Sequence, residues 1–172
     1  ILYAACDEFK PKPFNYFDNA KVKMAGQEVV ISRTGFTAEI GWEYYVYPKT
    51  DTDLLWNHLM SIGEKYGLIH SGLDSMDIRR IEAGIMNSGS DFDLKMNPYQ
   101  VGLGKFVDLN KDHFIGKKAL EVAPKDKLIF GVLCDKSEPM VLGKVSVKGE
   151  NIGIVTAAAW SPYLNSGIGY VR

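Results

Sequence analysis

The pattern of hydrophobic and polar positions changes period several times along the chain, and each change marks an element. "KVKMAGQEVVISRTG" has apolar positions on both sides of Ala25-Gly26-Gln27, which predicts a hairpin with those residues in the turn. Val29 and Ile31 then share one face of the second strand. "WEYYVY" alternates too, with Trp42, Tyr44 and Val46 on one face and Glu43, Tyr45 and Tyr47 on the other. Both faces are largely aromatic, so this strand is expected to be buried on both sides. Ahead of the hairpin, "FKPKPFNYFDNA" carries two closely spaced prolines and reads as an extended connector.

The period next becomes helical. Thr50 or Asp51 can cap a helix through "TDTDLLWNHLMSIGEKYG", with Leu54, Leu55, His58, Leu59 and Ile62 on one stripe and Gly63 or Gly67 at its end. His58 lies on that stripe, which makes it a packing residue rather than a catalyst. A shorter helix is predicted from Asp74 or Ser75 through Glu82, with Met76 and Arg80 on one face and Ile78 and Ile81 on another. "AGIMNSGSDFDLKMNP" is polar and rich in turn residues, and a loop of that length is often functional. "YQVGLGKFVDLNKDHFIGKKALEV" predicts a strand, a turn and a short helix. From Lys127 onward "LIFGVLCD", "GKVSVKG", "NIGIVTAAAW" and "SGIGYV" read as short strands of a small antiparallel barrel or sandwich. A domain boundary is therefore placed between Pro124 and Lys127.

Composition narrows the function classes. The 172 residues carry 20 Lys plus Arg against 21 Asp plus Glu, a net charge of -1, so no global field draws the protein to nucleic acid or an anionic membrane. Any charged ligand must be held locally. No apolar run approaches the ~20 residues of a membrane span. Cys6 and Cys134 lie far apart, outside any CxxC or Cys/His spacing, which fits a reduced, cytoplasmic protein and supports no metal site. The start, "ILYAACDEFKPKPF", lacks Met and the basic region of a signal peptide, and reads as the interior of a longer chain.

Two segments concentrate chemistry. Glu43 has two readings: an edge-strand glutamate that reaches water, or a ligand carboxylate beside the flat faces of Tyr45 and Tyr47. In the second reading its two acceptor oxygens suit a ring that offers two adjacent N–H donors, as pterins and guanines do. "GLDSMDIRRIEAG" gathers Asp74, Asp77, Arg79, Arg80 and Glu82. These residues either form a solvated helix with local charge pairs, Arg80 with Glu82 among them, or turn Arg79 or Arg80 inward to buttress the Glu43 strand or take an anionic ligand tail. No Ser/His/Asp or Cys/His constellation can be assembled, and no glycine-rich loop cradles phosphate.

In order and spacing, "SRTGFTAEIGWEYYVYP", "GLDSMDIRRIEAG", "NPYQVGLGKFVDLNKDHFIGKKAL" and "GIVTAAAWSPYLNSGIGYV" together resemble the second half of the glycine-cleavage T-protein (aminomethyltransferase) family. The resemblance runs from about Ser32 onward. It implies an α+β fragment of a three-domain cloverleaf around a channel for tetrahydrofolate. Residues 1–125 would be the later part of the folate-binding domain, and 126–172 a truncated C-terminal β-barrel. The family pattern RTGYTGE-x-G-x-E falls on Arg33 to Glu43, with Phe36 in place of Tyr and Ala38 in place of Gly, and its pterin-binding glutamate lands on Glu43.

The family's arginine before the Asp of "ARD" is matched by Met76, and a thioether cannot replace a guanidinium fork. That departure resembles the dimethylglycine and sarcosine dehydrogenase and folate-dependent demethylase branch. The resemblance thus implies a pterin contact at Glu43 and a folate-facing position at Met76, with tetrahydrofolate as the cofactor, and the strand and helix readings add Tyr45 and Trp42 as ring neighbours and Arg80 as a further candidate folate-binding residue. It implies a small-molecule one-carbon donor, and a lipoyl carrier protein as partner if the chain is a true T-protein. The family's catalytic aspartate belongs to the N-terminal half, so no catalytic residue is assigned here. Three functions follow as expectations: part of an aminomethyl- or methyltransferase, the C-terminal folate domain of a flavin-linked dehydrogenase, or a non-catalytic folate-binding module. The last usually carries a KGCYxGQE motif, which this chain lacks.

Overall fold

The computed structural model describes residues 1–8 and 14–172, which leaves Pro11 and Pro13 of the connector outside it. The described residues divide into two compact units, Ile1–Met76 and Asp77–Arg172.

In the first unit, helix α1 (Leu2–Ala5) precedes a three-stranded antiparallel sheet of β1 (Asn19–Met24), β2 (Gln27–Ser32) and β3 (Glu43–Tyr45), in that order. The predicted hairpin is present with the tighter two-residue turn Ala25-Gly26, whose φ values of 51° and 75° are those of the turn that matches the strands' right-handed twist. Asp7 holds the turn from outside by accepting from the backbone N–H of Ala25 at 3.1 Å and of Gly26 at 2.7 Å. Val22, Met24, Val29 and Ile31 point to one side, where Leu2, Ala5, Phe14 and Leu55 complete the core.

Two expectations about this unit change. The strand around Glu43 is short and one-sided: Trp42 and Tyr44 pack on the core, while Tyr45 is 53% exposed. α1 and α2 pack on one face of the sheet, and the opposite face of β3, which carries Glu43 and Tyr45, is exposed. On α2 (Thr52–Glu64) the buried stripe starts at Leu55, with Leu59 and Ile62 beside it, and Leu54 is exposed. Leu54 sits ~100° around the helix from Leu55, off the core-facing side. Asp51 is the cap, accepting from the Leu54 N–H at 2.9 Å. His58 behaves as a packing residue, its Nε2 2.9 Å from the Ala5 carbonyl oxygen.

Helix α3 (Leu73–Glu82) leads into the second unit, which also contains α4 (Lys117–Val122) and strands β4 (Phe130–Cys134), β5 (Lys144–Val147), β6 (Glu150–Ser161) and β7 (Ser166–Val171). All four predicted strands form, and the molecule is α+β as expected. They make an open antiparallel sheet in the order β4-β7-β6-β5 rather than a closed barrel, because β4 and β5 are both edges and do not pair with each other. The strand predicted in "YQVGLGKFV" is a run of turns and a 3-10 helix (Gly104–Phe106). Asn97 Oδ1 accepts from the N–H of Tyr99 and of Gln100, and Gly102 has φ +77°, which curls the chain where a strand would extend it. Ile81, Val101, Ile129, Ala157, Ala159, Ile168 and Tyr170 form this unit's core.

Asp51→Ala removes the α2 cap and is expected to lower stability by about 1 kcal/mol, read from the urea midpoint at unchanged slope.

Candidate functional site

The register of β2 with β3 sets Ser32 opposite Glu43. Between them the chain makes the excursion Arg33–Trp42, pinched at its neck. A Cβ on Gly41 would meet the Thr34 carbonyl oxygen at 3.1 Å, so the close approach of the two limbs favours glycine there. Ala38 holds φ +57° within the same excursion, a conformation easier for the family's glycine than for alanine.

The pinch brings the Thr34 side chain to Glu43. The Thr34 hydroxyl donates to Glu43 Oε2, and the Tyr45 hydroxyl donates to the same oxygen at 3.1 Å. Oε1 receives no donor among the described residues, and the residue is exposed. The result is a carboxylate steadied at one oxygen, open at the other, and flanked by the ring of Tyr45.

Of the sequence-derived candidates, Glu43 and Tyr45 are brought into direct contact. Trp42 is not with them: it faces the core, edge-on to Phe14 with ring centroids 4.9 Å apart and planes at 90°. Met76 is partly exposed on the first turn of α3. Arg80 is 4% exposed and committed elsewhere. Its Nε donates to Asp77 at 2.5 Å, and its Nη1 to Asp91 at 2.8 Å and to the Ile85 carbonyl at 3.2 Å. Glu82 pairs with Arg79 at 2.8 Å rather than with Arg80, because Asp77 and the buried Asp91 claim the Arg80 fork. Burial opposes the Arg80 charge, but the hydrogen bonds and charges of Asp77 and Asp91 outweigh it and hold its pKa above the ordinary arginine value.

Sequence reasoning missed Thr34, Asp91 and Tyr170. Thr34 was legible in principle, since a two-strand register with Ser32 opposite Glu43 sets its hydroxyl near that carboxylate. Asp91 lies in the polar loop and is fully buried, which no periodicity signals. Burial pushes the Tyr170 hydroxyl up to about 12, with the Arg80 charge acting in the opposite sense and that of Asp91 reinforcing it. Beside Tyr170, a cleft of about 730 Å³ is lined by Ile81, Glu82, Phe92, Leu103 and Ile168. Among the described residues no His, Cys, Asp and Glu cluster could hold a metal ion, and no helix is long and apolar enough to cross a membrane.

The comparisons with known proteins agree on a family. The model of the GCVT N-terminal domain matches residues 1–111. An aminomethyltransferase of Halothermothrix orenii is 39% identical over 155 residues, covering 87% of this chain and 43% of that protein. One of Alkaliphilus oremlandii is 39% identical over 162 residues, covering 92% and 44%. The solved glycine cleavage system aminomethyltransferase T of Bartonella henselae shares the fold, with a TM-score of 0.73 at 24% identity over 92% of this chain and 44% of that one. The chain thus spans less than half the length of the relatives it matches.

Asp91→Ala leaves Arg80 with Asp77 as its one charge partner, and is expected to cost roughly 3 kcal/mol or more in chemical denaturation, as for a broken buried pair. A second expectation concerns pH. Because the Tyr170 pKa is raised in the folded state, its contribution to stability is complete below about pH 10 and is lost as pH rises toward 12. The wild type should therefore lose roughly 2 kcal/mol more across that window than Tyr170→Phe, measured as the difference between their unfolding free energies at the two pH values.

Proposed function

This chain belongs to the GCVT family, that of the glycine-cleavage T-protein, and from that membership we propose that it is the later part of a tetrahydrofolate-dependent aminomethyl- or methyltransferase. The observation that carries the folate reading is the Glu43 carboxylate, with Oε2 anchored by Thr34 and Tyr45 and Oε1 open to a ligand. A pterin edge offers N–H donors, and the open Oε1 of a carboxylate held in place can accept from them through charge-assisted hydrogen bonds. Tyr45 supplies both a bond that orients the carboxylate and a ring against which a heterocycle can lie. The arrangement is complementary to the ligand without needing Glu43 to be buried first.

Tetrahydrofolate, when bound, supplies the N5 that accepts the one-carbon unit. The chain's own contribution is to bind and orient, and orientation with exclusion of water accounts for a large part of the rate in such transfers. Met76 is carried as a folate-binding position by the family resemblance alone, and Trp42 and Arg80 remain candidates from the sequence whose side chains are engaged by Phe14 and by Asp77 and Asp91. In this reading residues 1–125 belong to the folate-binding domain and 126–172 to a separate C-terminal domain. A small-molecule one-carbon donor, and a lipoyl carrier protein for a true T-protein, are the partners.

Met76 favours a second reading, in which the chain is the C-terminal folate domain of a flavin-linked dimethylglycine or sarcosine dehydrogenase. A thioether stands where the family's guanidinium contacts folate, as in that branch. A flavin-binding glycine-rich motif upstream in the full gene would select it.

Titration of the full-length protein with tetrahydrofolate, followed by the fluorescence of Trp42 and Trp160, is expected to show saturable quenching. Glu43→Gln should weaken binding by at least ~1.5 kcal/mol, the lower end for a hydrogen bond to a charged group. Absence of binding by the wild type would remove the folate reading, and equal binding by the variant would remove the role given to Glu43.

A further inference from the structure

The sheet face that bears Glu43 also has a cationic end. Residues directly opposite one another in an antiparallel sheet present their side chains to the same face. Lys21 of β1 is opposite Val30 of β2, and Val30 is opposite Tyr45 of β3. Lys21, Val30 and Tyr45 therefore form one row across the three strands, next to the row of Asn19, Ser32 and Glu43. Neighbouring strands lie ~4.8 Å apart, so this row carries Tyr45 to Lys21 over about 10 Å of sheet. The sequence pointed to Arg79 or Arg80 for an anionic ligand tail, but Arg80 is buried and claimed by Asp77 and Asp91, and Arg79 pairs with Glu82. Lys21 offers a cation on the Glu43 face itself. Its side chain is 67% exposed and its Nζ stands 3.5 Å from Glu28 Oε1, an exposed pair weak enough to admit a second carboxylate. Lys23 lies directly opposite Glu28, and Lys49 lines a hollow of about 410 Å³ with Glu28 and Tyr47. Glu8 is the other acid at this corner, lining a hollow of about 170 Å³ with Lys21, Lys23 and Glu28. Three lysines thus meet two glutamates, which leaves an excess of positive charge.

Across this face the chemistry runs in order: an acceptor at Glu43, a ring at Tyr45, an aliphatic patch at Val30, then ammonium groups. A folate presents the complementary order, with N–H donors on the pterin edge, then the heterocycle, an aryl ring and the glutamate carboxylates. We propose that the row from Tyr45 to Lys21 is a second subsite for the same ligand, in which the p-aminobenzoyl group crosses Val30 and the glutamate tail ends at Lys21. Lys23, next along β1 on the same face, takes a further carboxylate where γ-linked glutamates lengthen the tail. The inference rests on the folate reading of Glu43 and adds to it a preference for the ligand's anionic end. Lys21 is in this account a binding residue with no part in the transfer itself. Both charges stay in contact with water, so the gain is modest and sensitive to salt.

The test is an equilibrium titration of the full-length protein, read by tryptophan fluorescence, with tetrahydrofolate, its triglutamate, and tetrahydropteroate, which lacks the glutamate. Lys21→Gln is expected to weaken tetrahydrofolate about fivefold while tetrahydropteroate stays within about twofold of wild type, and Lys21→Arg should bind tetrahydrofolate as the wild type does. The wild type should bind the triglutamate more tightly than tetrahydrofolate, and Lys21→Gln combined with Lys23→Gln should erase that difference. The loss in Lys21→Gln should also fade as sodium chloride is raised to about 0.5 M. If Lys21→Gln affects tetrahydrofolate and tetrahydropteroate equally, or affects neither, the tail subsite is overturned, and the pterin seat is still judged separately by Glu43→Gln. A triglutamate bound no more tightly than tetrahydrofolate would remove the part given to Lys23. Failure of the wild type to bind any of the three ligands would remove the folate reading and the subsite with it.

Discussion

A guanidinium taken out of water must be met by charge and by hydrogen bonds, and the second unit is organised around meeting that demand at Arg80. One partner is local, Asp77 a turn earlier on the same helix. The other, Asp91, is supplied by the loop after the helix and is itself fully buried. The loop must therefore fold back on α3. The Ile85 carbonyl and the Asn87 N–H, bonded to Arg80 and Asp91 in turn, draw the intervening residues down with it. A segment that is polar and rich in turn residues is thus tied to α3 by electrostatics, while its Met86, Phe92 and Met96 pack against the core. Ile81, next in the chain, goes to the core beneath β6 and β7.

The first unit follows a different logic. Its hairpin buries one face against α1 and α2, and β3 adds an edge strand whose inner residues Trp42 and Tyr44 extend the same core. Alternation along the strand then forces Glu43 and Tyr45 outward. The uncovered outer face is what leaves the carboxylate accessible, and the Thr34 and Tyr45 hydroxyls are what give it a defined orientation. In the proposed reading, binding would draw on an exposed charge that is preorganised, whereas in the second unit a buried charge pair organises the backbone.

Much of this architecture was legible because it rests on local chemistry. The Ala25-Gly26 turn, the Asp51 cap and the four C-terminal strands each follow from side chains acting within a few residues of their own positions. The face on which Glu43 and Tyr45 meet was legible for the same reason, as strand alternation has a strict period of two. What failed were inferences about the second side of an element. Aromatic residues on both faces of "WEYYVY" implied a buried strand, yet whether a sheet face is covered depends on which elements pack over it, and α1 and α2 pack on one face. The alternating texture of "YQVGLGKFV" implied a strand, but the side chain of Asn97 captured the backbone donors that a ladder would have used.

The residues alone determined the hairpin, the helix through Leu55, the four C-terminal strands, the shared face of Glu43 and Tyr45, and the kinship that makes folate the ligand to test. The tertiary structure decided the rest: that Trp42 serves the core, that Glu82 belongs to Arg79, and that Arg80 answers to Asp91. Turn, cap and alternation preferences act between near neighbours and are written in sequence spacing. The partner of a buried charge is chosen by which groups the fold brings within hydrogen-bond reach once water is excluded, and sequence spacing does not carry that distance.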